Sequence, residues 1–503
     1  MLARNPAVSH GGAAAVALKH GRRWLYVLHR WIGIFTCLLC AMWFVSGVVM
    51  MYVPYPKLSE RDRMDLSQPI DWSQVRISPD QALKTDGDKV FPNQLRVSML
   101  LGQPVYRILA KKKPTTISAV DGRRIGPISA AQALQIVRGV RPDAAGATVR
   151  KIMRDQWVVA QGFDPDRPLY KVSLHDAQGA ELYVSSTTGE VVNATTRTQR
   201  FWNWLGAVPH WIYPTALRRN GEVWRQVVLW VSGPAIFGAG LGVWVGILRL
   251  KLKRRYTAKR VSPYRGWMKW HHIAGLIAGL FVVTWLFSGW LSLNPFRWFE
   301  RTPSSHAGTL DYMGQARPLF AADVAGLRAL PSGQAREARL TWLAGRPLVV
   351  LEDAGLRESV YDGRTGAPAP LDDAAIFADA RKLVPGARVV FARRLTQEDD
   401  YWYSHHTQRR LPVLRVGFDD PARTWVHIDP VTGEVLGRSG ASARVYRWLF
   451  NCLHDFDLPL LLHHRPLWDG IVLMLSLGGL IVSISGIVIG WRRLGYKLRR
   501  AST

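Results

Sequence analysis

The first chemical signal in this sequence is histidine at recurring positions. The stretch HRWIGIFTCLLCAMWFVSG, from His29 to Gly47, returns as HHIAGLIAGLFVVTWLFSG from His271 to Gly289. In both, Gly follows the histidine by four residues (Gly33, Gly275), Trp by fourteen (Trp43, Trp285) and Ser by seventeen (Ser46, Ser288), with Gly47 and Gly289 next. A second pair recurs further on: WLGAVPH ends at His210 and WLFNCLH at His454, each fourteen residues before a tryptophan, Trp224 and Trp468. Imidazoles at matched places can ligate a metal or a haem iron, move a proton, or simply satisfy a carbonyl. The elements that hold the rings decide among these.

Those elements are membrane helices. The chain has 503 residues, 48% of them hydrophobic, and 22 tryptophans, an unusual composition for a water-soluble protein. Four uncharged apolar stretches, near 31–53, 226–248, 273–293 and 470–491, are long enough to cross ~30 Å of hydrocarbon as helices. The first is too long for the core of a signal peptide and reads as a retained span. The expected organisation is a basic N-terminal segment (1–30), a span (31–53), a first external domain (54–223), a span (224–249), a basic loop (250–270), a span (271–294), a second external domain (295–467), a span (468–491) and a basic tail (492–503).

The formal charge of +29 invites a nucleic-acid reading, and its distribution removes it. Residues 1–30, 249–270 and 491–503 together hold 19 of the 66 Lys and Arg and no Asp or Glu, leaving 47 basic against 37 acidic residues elsewhere. Positive charge abutting apolar spans marks the cytoplasmic side, so both termini are expected there, with residues ~54–223 and ~295–467 outside. A nucleic-acid surface needs a basic face on a folded domain instead. Of three cysteines, Cys37 and Cys40 fall within the first span and read as small apolar packing, and Cys452 stands apart, so no disulfide framework is expected.

The histidine match belongs to a duplication of the whole chain. His29 to Gly47 align with His271 to Gly289 at an offset of 242, while His210 and His454, Trp224 and Trp468, and the TGEV runs at Thr188 and Thr432 align at 244. Each half reads as span, external domain, span, so the halves form a parallel repeat about a pseudo-twofold axis along the membrane normal. In the first external domain VYRILA and ISAVDGRRIG predict strands around a turn, ISAAQALQIVRGV a helix capped near Ser129, and LYKVSL with ELYVSSTTGEVV a hairpin. The second repeats this with PLVVLE, ESVYDGRTG, DDAAIFADARKLV, VLRVGF and TWVHIDPVTGEVLG, giving two small helix-on-sheet modules. The fold class is therefore an α+β membrane protein, a four-helix bundle carrying two external α+β domains.

From HRWIG through YVSSTTGEVV and VHIDPVTGEVLG to LGGLIVSISGIVIGWRRL, the sequence resembles the PepSY-associated transmembrane family. The resemblance implies PepSY-like external domains between membrane helices in a bacterial inner membrane. Some members look like haem-containing reductases of ferric siderophores. Others carry a fused flavoprotein reductase, and only a dozen residues follow Trp491 here. The expected electron source is therefore a separate partner, a cytoplasmic reductase or a quinol.

Within that frame the four histidines become axial ligands of two haem b groups. One haem takes His29 and His271 near the cytoplasmic side, facing each other across the axis, and the other takes His210 and His454 near the outer face. Gly33 and Gly275, one turn along, would let a flat ring approach the backbone, and Gly47 and Gly289, ~25 Å further up the helices, would make room for the second. His272 is an alternative to His271, which the Gly275 and Trp285 register favours. His463 and His464 are alternatives to His454, but their counterparts are Arg219 and Asn220. Arg22, Arg23, Arg30 and Lys269 are candidate propionate partners that equally satisfy the positive-inside pattern. Gly238, Gly240, Gly242, Gly478, Gly479 and Gly486 suit close helix packing or clearance for a haem.

The expected activity is a membrane electron conduit that reduces a ferric siderophore or other ferric chelate on the outer side, with no side chain acting as acid or base. Two rivals use the same sequence: a non-enzymatic membrane sensor or peptidase regulator, and a transport or assembly factor for haem or metal. YWYSHHTQRR, residues 401–410, combines aromatics, His405, His406 and cations that could meet an anionic or iron-bearing substrate, and reads first as an exposed polar loop. No zinc-type spacing, phosphate loop or nucleophile motif stands out.

Overall fold

The computed structural model describes residues 10–87, 91–110, 113–250, 262–299, 302–314, 319–331, 333–405 and 407–501. Four helices are long and apolar enough to cross a membrane. Span one is His10–Tyr52, span two Gly221–Leu248, span three Trp267–Leu291 and span four Arg465–Ala501. Spans one and four overrun the stretches expected near 31–53 and 470–491. Hydropathy marks only the part of a helix that sits in hydrocarbon; Ala, Lys and Arg prolong it beyond. His29 consequently lies within a helix, at the basic end of its apolar part, and not at a helix start.

Small residues let the four helices approach one another. A Cβ on Gly238 would meet Ile32 at 2.5 Å, one on Gly279 would meet Val243 at 2.8 Å, one on Gly478 Ala278 at 3.1 Å, and one on Gly490 Ile34 at 3.2 Å. Each seam between neighbouring helices thus has a glycine where bulk would force the backbones apart. The same contacts set the directions. Early residues of span one (Ile32, Ile34) meet later residues of spans two and four, and early residues of span three do likewise, His272 with Gly246 and His271 with Gly486. Spans one and three therefore run parallel, as a parallel repeat requires. Phe35, Leu38, Trp230, Ile277, Leu280 and Met474 face outward, a band that suits a lipid surroundings.

The two extramembrane domains are joined more closely than two separate modules. Strands of both halves form one six-stranded antiparallel sheet in the order Glu358–Asp362, Arg346–Asp353, Ala335–Leu343, Gln94–Leu100, Gln103–Ala110, Lys113–Ser118. Its central pair carries the pseudo-twofold relation, with Arg96 opposite Arg339 and Val97 opposite Ala338. The sequence reading misses the two central strands, QLRVSML and AREARLTWL. Charge interrupts their alternation: Glu337, 4% exposed, sits in the second, and Arg96, its ion-pair partner, in the first. Each half adds a four-stranded antiparallel sheet, within 148–195 and 389–439. The helices Ala130–Val140 and Asp373–Ala380 pack with these sheets, as expected. Ser129 closes a capping box with Gln132. The TGEV hairpins turn at Gly189 and Gly433, whose φ of +72° and +70° suit glycine.

An ionic network holds the shared sheet. Arg96 reaches Glu190 at 3.2 Å and Glu337 at 2.7 Å; Arg63 also pairs with Glu337. In the other half Arg339 reaches Glu434 at 3.0 Å, Glu352 at 2.8 Å and Glu358 at 2.5 Å. Arg96–Glu190 and Arg339–Glu434 are repeat-related. Burial alone would raise the Glu190 carboxyl, but Arg107 and Arg96 outweigh it and bring it down to about 2.

Candidate functional site

The four repeated histidines meet as two facing pairs. The His29 and His271 rings stand 6.2 Å apart between centroids, tilted by 35°. His210 and His454 stand 6.3 Å apart at 64°. Two imidazoles binding one transition metal from opposite sides, each nitrogen ~2 Å from it, have centroids ~6 Å apart. Both pairs have that separation.

The hydrogen bonds of the rings fix which nitrogen faces inward. His29 Nδ1 lies 3.0 Å from the Gly238 carbonyl oxygen, and His271 Nδ1 3.1 Å from that of Val482 and 3.0 Å from Ser485 Oγ. His210 Nδ1 lies 3.2 Å from the Trp43 carbonyl and 3.2 Å from Ser46 Oγ. His454 Nδ1 lies 3.3 Å from the Trp285 carbonyl and 3.1 Å from Ser288 Oγ. A carbonyl only accepts, so each Nδ1 carries the proton and each Nε2 presents a lone pair. That tautomer, anchored on its far nitrogen, is the one that binds metal. Burial and, behind it, the neighbouring His454 bring the His210 imidazole down to about 4, so the ring is neutral at physiological pH.

The spacing of the opening repeat now has a structural cause. Trp43 Nε1 donates to the His210 carbonyl at 2.8 Å, and Trp285 Nε1 to that of His454 at 2.6 Å. With Ser46 and Ser288, these tryptophans clasp the histidine of the other level. Gly47 and Gly289 lie against those rings: a Cβ there would meet Cε1 of His210 at 3.3 Å and of His454 at 3.0 Å. They make room for the histidines themselves. Gly33 and Gly275 face open space, with only Cys37 Sγ within 4 Å of a Cβ on the first and nothing on the second.

The lower histidines rest on two glycines that the sequence reading assigns to helix packing or haem clearance. A Cβ on Gly242 would meet His29 Cε1 at 2.6 Å, and one on Gly486 would meet His271 Cε1 at 3.4 Å. The two are repeat-related at the same offset of 244 that aligns His210 with His454, a signal already in the sequence.

The upper histidines are placed by different backbones. Helix Arg197–Leu205 breaks at Gly206 before Ala207–His210, whereas Arg447–Cys452 is a π-helical turn leading to His454. A Cβ on Gly206 would meet Val49 Cγ1 at 2.9 Å, so the break also brings this segment tight against span one.

The other candidates are placed differently. Both nitrogens of His272 are used, Nδ1 at 2.9 Å from Ser262 Oγ and Nε2 at 2.9 Å from the Gly246 carbonyl, and the ring staples span three to span two. His463 and His464 are exposed. Arg22, Arg23, Arg30 and Lys269 are exposed at the basic end of the bundle. Cys37, Cys40 and Cys452 are free thiols.

Above the upper pair a cavity of about 2290 Å³ opens between bundle and domains. His210, His454, Trp43 and Trp285 line its floor, and Arg96, Arg339, Glu337 and Glu352 of the shared sheet line it from above. Trp402, His405, Arg409 and Arg410 line it too; Thr407, Gln408 and Arg409 are exposed as expected of the segment 401–410, whereas Trp402 is buried, and His406 lies outside the described residues. The segment is pinned by Trp402, stacked on His427 at 4.2 Å, and by Asp399, which receives Arg415.

Residues 26–339 match the family described as the PepSY-associated TM region. The chain belongs to that family. No curated protein matches the chain. In this member of the PepSY-associated TM family the matched region takes in His29, His210 and His271 and ends at Arg339, part-way along the joining strand Ala335–Leu343, so that His454 lies beyond it.

Proposed function

We propose that this protein is a transmembrane electron conduit that holds two haem b groups, one between His29 and His271 and one between His210 and His454. It passes single electrons to a ferric chelate, a siderophore in the first instance, in the cavity beside the upper pair. The observation that carries this reading is the double recurrence of facing imidazoles 6.2 and 6.3 Å apart with every Nδ1 on a backbone carbonyl. A purely anchoring bundle has no need of either feature twice.

Bound haem supplies one-electron chemistry at an iron whose potential follows from its ligands and burial. The chain's own residues do the rest. Gly238, Val482, Trp43 and Trp285 hold the four rings in one tautomer; Ser46, Ser288 and Ser485 brace them; Gly242, Gly486, Gly47 and Gly289 let them sit close to the helices. The cavity exceeds the ~300–1,000 Å³ usual for a small-molecule site, which suits a bulky chelate next to a cofactor. Basic segments at the opposite end of the bundle support a cytoplasmic location for both termini and a bacterial inner membrane, with a reductase or quinol supplying electrons there.

The test is the visible spectrum of the detergent-purified protein. Reducible six-coordinate haem b bands are expected, with His29→Ala removing one haem and His210→Ala the other, and oxidation of the dithionite-reduced protein by a ferric siderophore. A protein that binds no haem contradicts the proposal.

A further inference from the structure

One wall of the cavity carries an acid–base pair that electron transfer alone does not use. His405, on that wall, places Nδ1 2.6 Å from Asp457 Oδ1, and Tyr403 donates its hydroxyl to Asp457 Oδ2 at 2.7 Å. The Asp457 side chain is 1% exposed and that of His405 14%. The ring also meets Trp468 edge-on at 5.4 Å. Arg447 fixes the same corner by donating to the Asp457 carbonyl and lying over the Tyr403 ring. A carboxylate on one imidazole nitrogen sets the tautomer and aims the other nitrogen. Among the described residues the titratable and charged groups around it include Asp457, Tyr403, Asp455, Arg447 and, across Trp468, Arg465.

This pair breaks the molecule's symmetry. At the offset of 244, His405, Asp457 and Tyr403 correspond to Gln161, Tyr213 and Val159. The first half builds the same fold and seats its own histidine without a carboxylate or an imidazole there, so the architecture does not require the pair.

We infer that His405, oriented by Asp457, is the proton donor to the chelate as its iron is reduced, an inference that rests on the function proposed above. Iron(III) takes one electron from the reduced conduit and becomes iron(II). A bond from iron to a ligand oxygen, such as a hydroxamate oxygen, breaks. The proton on His405 Nε2 passes to that oxygen, forming an O–H bond that prevents the oxygen from rebinding, and a proton taken up from bulk solvent restores the ring.

The test uses the full-length haem-loaded protein, reduced with dithionite and mixed with a ferric hydroxamate in a stopped-flow instrument. His405→Gln is expected to slow haem oxidation at least ~tenfold and to abolish its solvent deuterium effect, with Asp457→Asn slowing it less. Oxidation by ferricyanide, which releases no ligand oxygen, stays at the wild-type rate. Binding of the redox-inert gallium(III) hydroxamate, measured by calorimetry, stays within about twofold. Unchanged chelate-driven oxidation in His405→Gln overturns the inference; so does equal slowing with ferricyanide, which marks a structural role, or loss of gallium chelate binding, which marks a binding residue. A wild-type protein that ferricyanide oxidises and ferric chelates do not overturns the proposed substrate, and the role of His405 with it.

Discussion

At the residue scale, each repeated side chain has one job that its neighbours define. Trp43 and Trp285 each donate an indole N–H to the carbonyl of a histidine whose Nδ1 faces the tryptophan's own carbonyl, so each clasp is reciprocal. Trp43→Phe removes one such bond, is expected to cost ~1 kcal/mol of stability, and should lower occupancy of the upper haem alone, read from haem content in the purified variant. Gly275→Ala separates two meanings of an empty space. No atom lies within 4 Å of the added methyl, so the haem-free chain should fold unchanged. If a haem fills that space, haem content should fall from about two per chain to about one. Unaltered haem content in that variant would show that Gly275 gives no clearance.

The histidines were legible in the sequence because repetition does not depend on knowing the fold. His29, His271, His210 and His454 stand out by register alone, and the pairing across an axis follows from a parallel duplication. The partners of the His29 and His271 rings were not legible, because Gly238 and Val482 contribute only a backbone carbonyl, which no side chain announces; Trp43, Ser46, Trp285 and Ser288, which hold the other two rings, recur in the opening repeat. His405 and Asp457 are 52 residues apart and have no repeat counterpart, so only the fold brings them together.

At the scale of elements, two devices place the site. Glycine seams close the bundle, and the antiparallel pair Gln94–Leu100 and Ala335–Leu343 fuses the external domains over the cavity. Of each module the helix and the strands that lead into the TGEV turn were readable from alternation and turn glycines, whereas the edge strands Thr148–Ile152 and Val389–Leu395 were not. The fusing strands were not, because the ion-paired Arg96, Glu337 and Arg339 interrupt the hydrophobic pattern. Those pairs predict acid lability. The Glu190 carboxyl is held at about 2 against an ordinary 4.5. A lowered carboxyl stabilises the folded state in full above its ordinary value, and that contribution is lost as pH falls toward the folded value. Unfolding followed by tryptophan fluorescence should show stability declining between pH 4.5 and about 2, and Glu190→Gln should be less stable at neutral pH with a flatter profile in that window. An unchanged acid profile in that variant would contradict the role given to the network.

At the scale of the whole molecule, the two histidine levels lie at opposite ends of spans one and three. His29 and Gly47 sit eighteen residues apart on one helix, ~27 Å at 1.5 Å per residue, so the pairs bracket the hydrocarbon. The basic segments predict which end is inside. A reporter fused after Thr503 that is active only in the cytoplasm should be active, and one inserted in the domains should not. The measurement that bears most directly on the central claim is haem content per chain in the purified wild type and in His29→Ala and His210→Ala. The account predicts about two bis-histidine haem b groups in the wild type and about one in each variant, with different bands lost. A colourless wild type, or variants that keep the full content, would contradict it.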